Sequence, residues 1–177
     1  MRCLALAQSW QDAGGHAIFA MADCTPLLEE RLRHEGFEIA HVSVPAGSAA
    51  DAAETARIGR KHGASWIVVD GYQFGAEYQA SLKSRDLKVL FVDDNGHAEY
   101  YSADLVLNQN IHASESLYSN REASTRLLLG TQFAMLRREF VAWRNWGRET
   151  PSVARKCLLT MGGADPDNVT ARVLRTI

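Results

Sequence analysis

Five short clusters carry the polar groups that could do chemistry: Asp70-Gly71-Tyr72, Asp93-Asp94-Asn95, Asn108-Gln109-Asn110, Gly130-Thr131 and Gly162-Gly163. Each directly follows an apolar run, the pattern of strand ends, and in an open parallel sheet ligands sit just beyond the carboxyl ends of the strands. One cleft would then collect Asp70, Tyr72, Asp94, Asn108 and Asn110 as hydrogen-bonding groups. Any one of these residues could instead cap a helix or close a turn, so their recurrence after successive strands carries the argument. The pair Asp93-Asp94 could hold a cation or divide acid and base work. Neighbours on an extended chain point opposite ways, however, so only one of the two faces a given site. No spaced His or Glu completes a hard-metal cage, and neither a metal nor a cofactor is expected. Gly162-Gly163, between a strand-like run and a helix-like one, has the shape of a phosphate cradle. Asp165 and Asn168 follow it as ligand groups or as helix caps. Arg137 offers a cation to an anionic ligand.

The elements that must position these groups are legible from the apolar period. Helical spacing covers 2–13, Pro26 to Glu35 (Thr25 as cap), 48–62 and 75–82. Strand-like runs cover 17–21, 37–44, 66–70, 89–94, 105–107 and 127–129. Phe133, Leu136, Arg137, Phe140, Trp143 and Trp146 recur at helical spacing. Strands apolar on both faces, separated by helices, predict an α/β fold: a Rossmann-like, doubly wound parallel sheet. Residues 1–147 form this domain. The polar stretch 148–155 reads as a linker, and 156–177 as the first β-turn-α unit of another domain, with a strand at Cys157–Met161. Because the chain opens inside a helix, the first strand of the sheet is expected to lie outside it. An edge left unpaired in that way would favour self-association.

Composition narrows the classes. The 177 residues are 46% hydrophobic and 23% charged, with 19 Lys+Arg against 21 Asp+Glu. That is ordinary for a globular domain, and a net charge of −2 lacks the basic footprint of a nucleic-acid or anionic-membrane binder. No apolar run approaches the roughly 18 residues of a membrane span. The cysteines Cys3, Cys24 and Cys157 form neither a disulfide framework nor a zinc motif, and point to a cytoplasmic setting.

Five segments together resemble the PseG/SpsG family: VVDGY (68–72), LFVDD (90–94), DLVLNQN (104–110), LLLGTQFAMLRREF (127–140) and LLTMGGADPDN (158–168). The opening MRCLALA is similar to the tail of that family's GxGHxxRC motif. The resemblance implies a GT-B architecture of two domains with the site in their cleft. It also implies hydrolysis of a UDP-linked 2,4-diacetamido-2,4,6-trideoxy sugar, with water attacking the anomeric carbon, UDP leaving and no metal taking part. It puts Tyr72 beside the sugar and water, Arg137 near the substrate and Gly162-Gly163 at the cleft. The motif's general-base histidine and most of the nucleotide domain are not in these 177 residues, so the chain alone is expected to be inactive. A fragment of a MurG-like GT-B glycosyltransferase and a non-catalytic sugar-binding remnant are the alternatives.

Overall fold

The computed structural model describes residues 1–22, 24–161 and 165–176. These fall into two compact units, Met1–Ala142 and Trp143–Ile177.

The first unit is a mixed α/β layer structure with parallel sheets. Its elements are α1 (Arg2–Asp12), β1 (Ile18–Met21), α2 (Pro26–His34), β2 (Glu38–His41), α3 (Ala49–Lys61), β3 (Trp66–Asp70), α4 (Ala76–Lys83), β4 (Lys88–Val92), β5 (Leu105–Asn108) and β6 (Arg126–Leu129). The helix starts follow from local chemistry. Thr25 accepts from the Leu28 amide ahead of Pro26, and Ser48 accepts from the Asp51 amide ahead of α3; each satisfies a backbone donor that the first helical turn leaves free.

The strands form two sheets, β1-β2 and β3-β4-β5-β6, every pairing parallel. Among the described residues no ladder joins β1 or β2 to the larger sheet. Helices cover both faces of the larger sheet. Val89 and Phe91 pack with Ala52, Ala56, Tyr78 and Leu82 of α3 and α4. The alternate residues Leu90 and Val92 face Leu6 of α1, as the two-residue period of a strand requires. Leu4 and Ala7 of the same α1 pack on Phe19, Met21 and Ile39 of the smaller sheet. One helix therefore covers both sheets. Strand β2 is shorter than the run 37–44, because pairing with β1 ends at Met21↔His41.

Two expected elements are not formed. The 133–146 segment is not an α-helix but two 3-10 turns, Thr131–Phe133 and Arg138–Trp143. Phe133 and Met135 pack on the Leu90 cluster. Arg138 is tied by its guanidinium to Asp12 (2.7 Å), Gln11 (3.0 Å) and Glu35 (3.2 Å). Those anchors hold the backbone along α1, and the aromatic spacing finds no continuous apolar surface to bury a helix stripe. In the second unit, the run at 157–161 forms no strand among the described residues. Leu158 is exposed there, and an apolar run with no neighbouring strand has nothing to complete its ladder. The helix expected after it is present as the six-residue α5 (Val169–Leu174).

Candidate functional site

The carboxyl ends of β3, β4 and β5 gather one polar cluster around a residue from α1. The Arg2 guanidinium donates to both carboxylate oxygens of Asp70, with Nη2 at 2.6 Å and Nε at 3.0 and 3.1 Å. Its Nη1 donates to Asp94 Oδ2 at 2.6 Å. Tyr72 donates its phenol to the same Asp94 oxygen at 3.3 Å and accepts from Asn95 Nδ2 at 3.3 Å. Asn110 Nδ2 donates to Asp94 Oδ1 at 2.7 Å. Local structure explains the placement. Asp70 is the last residue of β3, Gly71 turns the chain at a φ of 153°, and Tyr72 stands directly beyond it.

Asn108, the last residue of β5, is fully buried and organises the cluster from beneath. It donates to the Asp94 carbonyl oxygen (2.9 Å) and to the Tyr118 hydroxyl (2.8 Å), while its oxygen accepts from the Asn110 amide (3.0 Å). It was expected to touch a ligand; with its donors and acceptor engaged and no exposure, it sets the loop that carries Asn110.

The adjacent aspartates part company. Asp93 turns inward, its side chain fully buried, and accepts from the amides of Asn95 (2.7 Å), Gly96 (3.0 Å) and His97 (3.3 Å) and from the Tyr101 hydroxyl (2.5 Å). His97 Nδ1 also lies 3.2 Å from it, without the alignment of a hydrogen bond. Burial alone would raise the Asp93 carboxyl, but these donors outweigh it and hold the group below its ordinary 3.8. Asp94 is likewise pushed up by burial and pulled down further by Arg2 and Asn110, so it too stays ionised.

Arg2, Asp70 and Asp94 side chains each keep 22% exposure, and Tyr72 is 61% exposed. Two carboxylates against one guanidinium leave the cluster net negative. Such a surface accepts hydrogen bonds from hydroxyl and amide N–H groups and favours positive charge developing on a bound ligand. It repels phosphate, so an anionic leaving group would need donors from other residues.

Sequence reasoning identified Asp70, Tyr72, Asp94 and Asn110, and the fold brings them together. It missed Arg2 as their centre and Cys3, whose thiol donates to Asp70 at 3.1 Å. Burial, then the Asp70 charge, pushes that thiol up to about 12. It missed His112 too, whose exposed ring nitrogen lies 3.3 Å from the Asp94 carbonyl oxygen. The signal for His112 was its place two residues after Asn110 in a strand-end loop. Arg137 does not join the cluster. Its Nε pairs with Glu139 at 2.7 Å and its guanidinium lies over the Phe140 ring at 5.1 Å, because the 3-10 turn there brings its own neighbours within reach. In the second unit, Asp165 caps α5, accepting from Val169 (2.8 Å) and Thr170 (3.0 Å), whereas Asn168 makes no side-chain cap. Gly162 and Gly163 lie outside the described residues. Among the described residues, no three His, Cys, Asp or Glu side chains converge as a metal site, and no helix is long and apolar enough to cross a membrane.

No protein-family model matches the chain. A curated protein of Methanocaldococcus jannaschii, described as the uncharacterized protein MJ1062, is 24% identical over 115 residues. That alignment covers 63% of this chain but only 24% of the relative, so the chain spans a minor part of the relative's length.

Proposed function

We propose that this chain supplies the sugar-binding half of a nucleotide-sugar hydrolase of GT-B architecture. The substrate is a UDP-linked 2,4-diacetamido-2,4,6-trideoxy sugar, attacked by water at its anomeric carbon. The observation that carries the reading is the convergence of Asp70, Tyr72, Asp94 and Asn110 on Arg2 at the carboxyl edge of the parallel sheet. Acceptor-rich and net negative, this edge suits hydroxyl and acetamido N–H groups. It also suits the positive charge that builds on a sugar ring as the glycosidic bond breaks. The exposed Tyr72 phenol, already donating to Asp94, is the group of the cluster best able to reach the sugar and its attacking water. The diphosphate is unsuited to this edge and needs donors elsewhere; the sequence pair Gly162-Gly163 is the candidate that the family resemblance offers. The complete reaction belongs to a longer protein containing this sequence.

Product analysis tests the reading. That longer protein, incubated with the UDP-sugar in heavy-oxygen water without any acceptor, should release UDP and free sugar carrying the label at its anomeric carbon. Turnover only when an acceptor alcohol is added would replace the hydrolase with a glycosyltransferase on the same plan.

A further inference from the structure

Tyr72 is the most exposed member of the cluster, and its own anchors are slight. Its phenol makes two exposed hydrogen bonds, each 3.3 Å long. The turn that carries it begins at Gly71, which has no Cβ to restrain it. A firmer hold comes from His97, on the loop after β4. Its Nε2 lies 3.0 Å from the carbonyl oxygen of Phe74, two residues past Tyr72. A carbonyl oxygen only accepts, so Nε2 carries the proton and donates. The imidazole also meets the Tyr72 ring edge-on, with centroids 5.3 Å apart and planes at 73°, and lies 5.6 Å from the core ring of Phe91. Asp93 fixes the same residue from the other side, accepting from its amide at 3.3 Å and facing Nδ1 at 3.2 Å. His97 thus ties the turn that bears Tyr72 to the buried Asp93 knot.

We propose that His97 is a positioning residue for sugar binding: its Nε2–H bond to the Phe74 carbonyl holds the 71–75 turn so that Tyr72 stands beside Asp94 before the ligand arrives. Its ring nitrogens face Phe74 and Asp93, so it acts on Tyr72 by placement and not by proton transfer. A phenol already held in place loses little freedom on binding, and that saving appears as affinity. The inference rests on the reading of Tyr72 as a sugar contact.

Two substitutions separate the tether from the ring. His97→Gln keeps a donor within reach of the Phe74 oxygen but has no ring; His97→Phe keeps a ring and has no donor. NMR relaxation of the Tyr72 and Gln73 amides, without sugar, reads the turn directly. Order parameters of about 0.85 are expected in the parent and in His97→Gln, falling below about 0.6 in His97→Phe. Titration with the free 2,4-diacetamido-2,4,6-trideoxy sugar should show about tenfold weaker binding by His97→Phe and near-parent binding by His97→Gln. In a Tyr72→Ala background, His97→Phe should cost no further affinity, because a residue that acts through Tyr72 has nothing left to position. Should His97→Phe not fold, the parent still gives a signature: an imidazole Nε2 proton shielded from exchange with water. A parent that binds no sugar defeats the hydrolase reading, and the order parameters then decide the tether alone. Equal order in the parent and His97→Phe, a His97→Gln turn as loose as that of His97→Phe, additive affinity losses, or an Nε2 without a shielded proton would each overturn the proposal.

Discussion

Asp93 and Asp94 are chain neighbours at the end of one strand, and they do opposite things. Asp93 closes a buried knot whose donors come from its own loop and from Tyr101. Asp94 joins an open cluster whose members come from α1, the β3 turn and the β5 loop. A buried carboxylate saturated by nearby backbone builds a loop. A half-exposed carboxylate that gathers side chains from distant elements is available to a ligand, since water or a substrate hydroxyl can still reach it.

The largest expected effect separates the two aspartates by stability. Asp93→Ala orphans three amides and a phenol, and should lower the unfolding free energy by about 3 kcal/mol. Asp94→Asn should cost about 1 kcal/mol or less, because its surroundings stay hydrated. Urea unfolding of both variants decides the matter; equal losses would erase the distinction. Next, Gly96 sits inside the Asp93 knot at a φ of 70°, and a Cβ there would lie 2.6 Å from the Leu117 carbonyl oxygen. Gly96→Ala should therefore cost about 2 kcal/mol in thermal denaturation. Paired phenol deletions sharpen the contrast: Tyr101→Phe removes a buried donor from Asp93 and should cost about 1–2 kcal/mol. Tyr72→Phe, at the surface, should stay within about 0.5 kcal/mol.

Acidity gives a smaller and graded effect. Both aspartates are held below their ordinary 3.8 in the folded chain, so the unfolded chain binds protons first as pH falls. Their stabilisation is present above about pH 4–5 and is lost as pH drops through the folded values. The acid limb of a stability–pH curve should be shallower in Asp93→Asn than in the parent. The smallest effect is chemical rather than energetic. With its thiol pushed up to about 12 by burial and the Asp70 charge, the half-buried Cys3 should alkylate at pH 8 far more slowly than the exposed Cys157, by mass spectrometry of labelled peptides.

The strands and the groups at their carboxyl ends were legible because apolar runs ending in Asp or Asn repeat along the chain; 66–70 reads directly as β3. Neighbour alternation also said that Asp93 and Asp94 must diverge, but not which one turns inward. That choice depends on Tyr101, brought back by the loop before β5. Arg2 was illegible as the centre because its partners lie 68 and 92 residues away, beyond any local period. The aromatic spacing at 133–146 misled for a related reason: periodicity reports a stripe, and only packing decides whether a surface exists to bury it.

Isothermal titration of this chain with the free 2,4-diacetamido-2,4,6-trideoxy sugar tests the central claim most directly, run on the parent and on Asp94→Asn. The account predicts saturable binding by the parent and a loss of about tenfold or more in the variant, which removes the charged acceptor that Arg2, Tyr72 and Asn110 share. Equal affinity for both would contradict it.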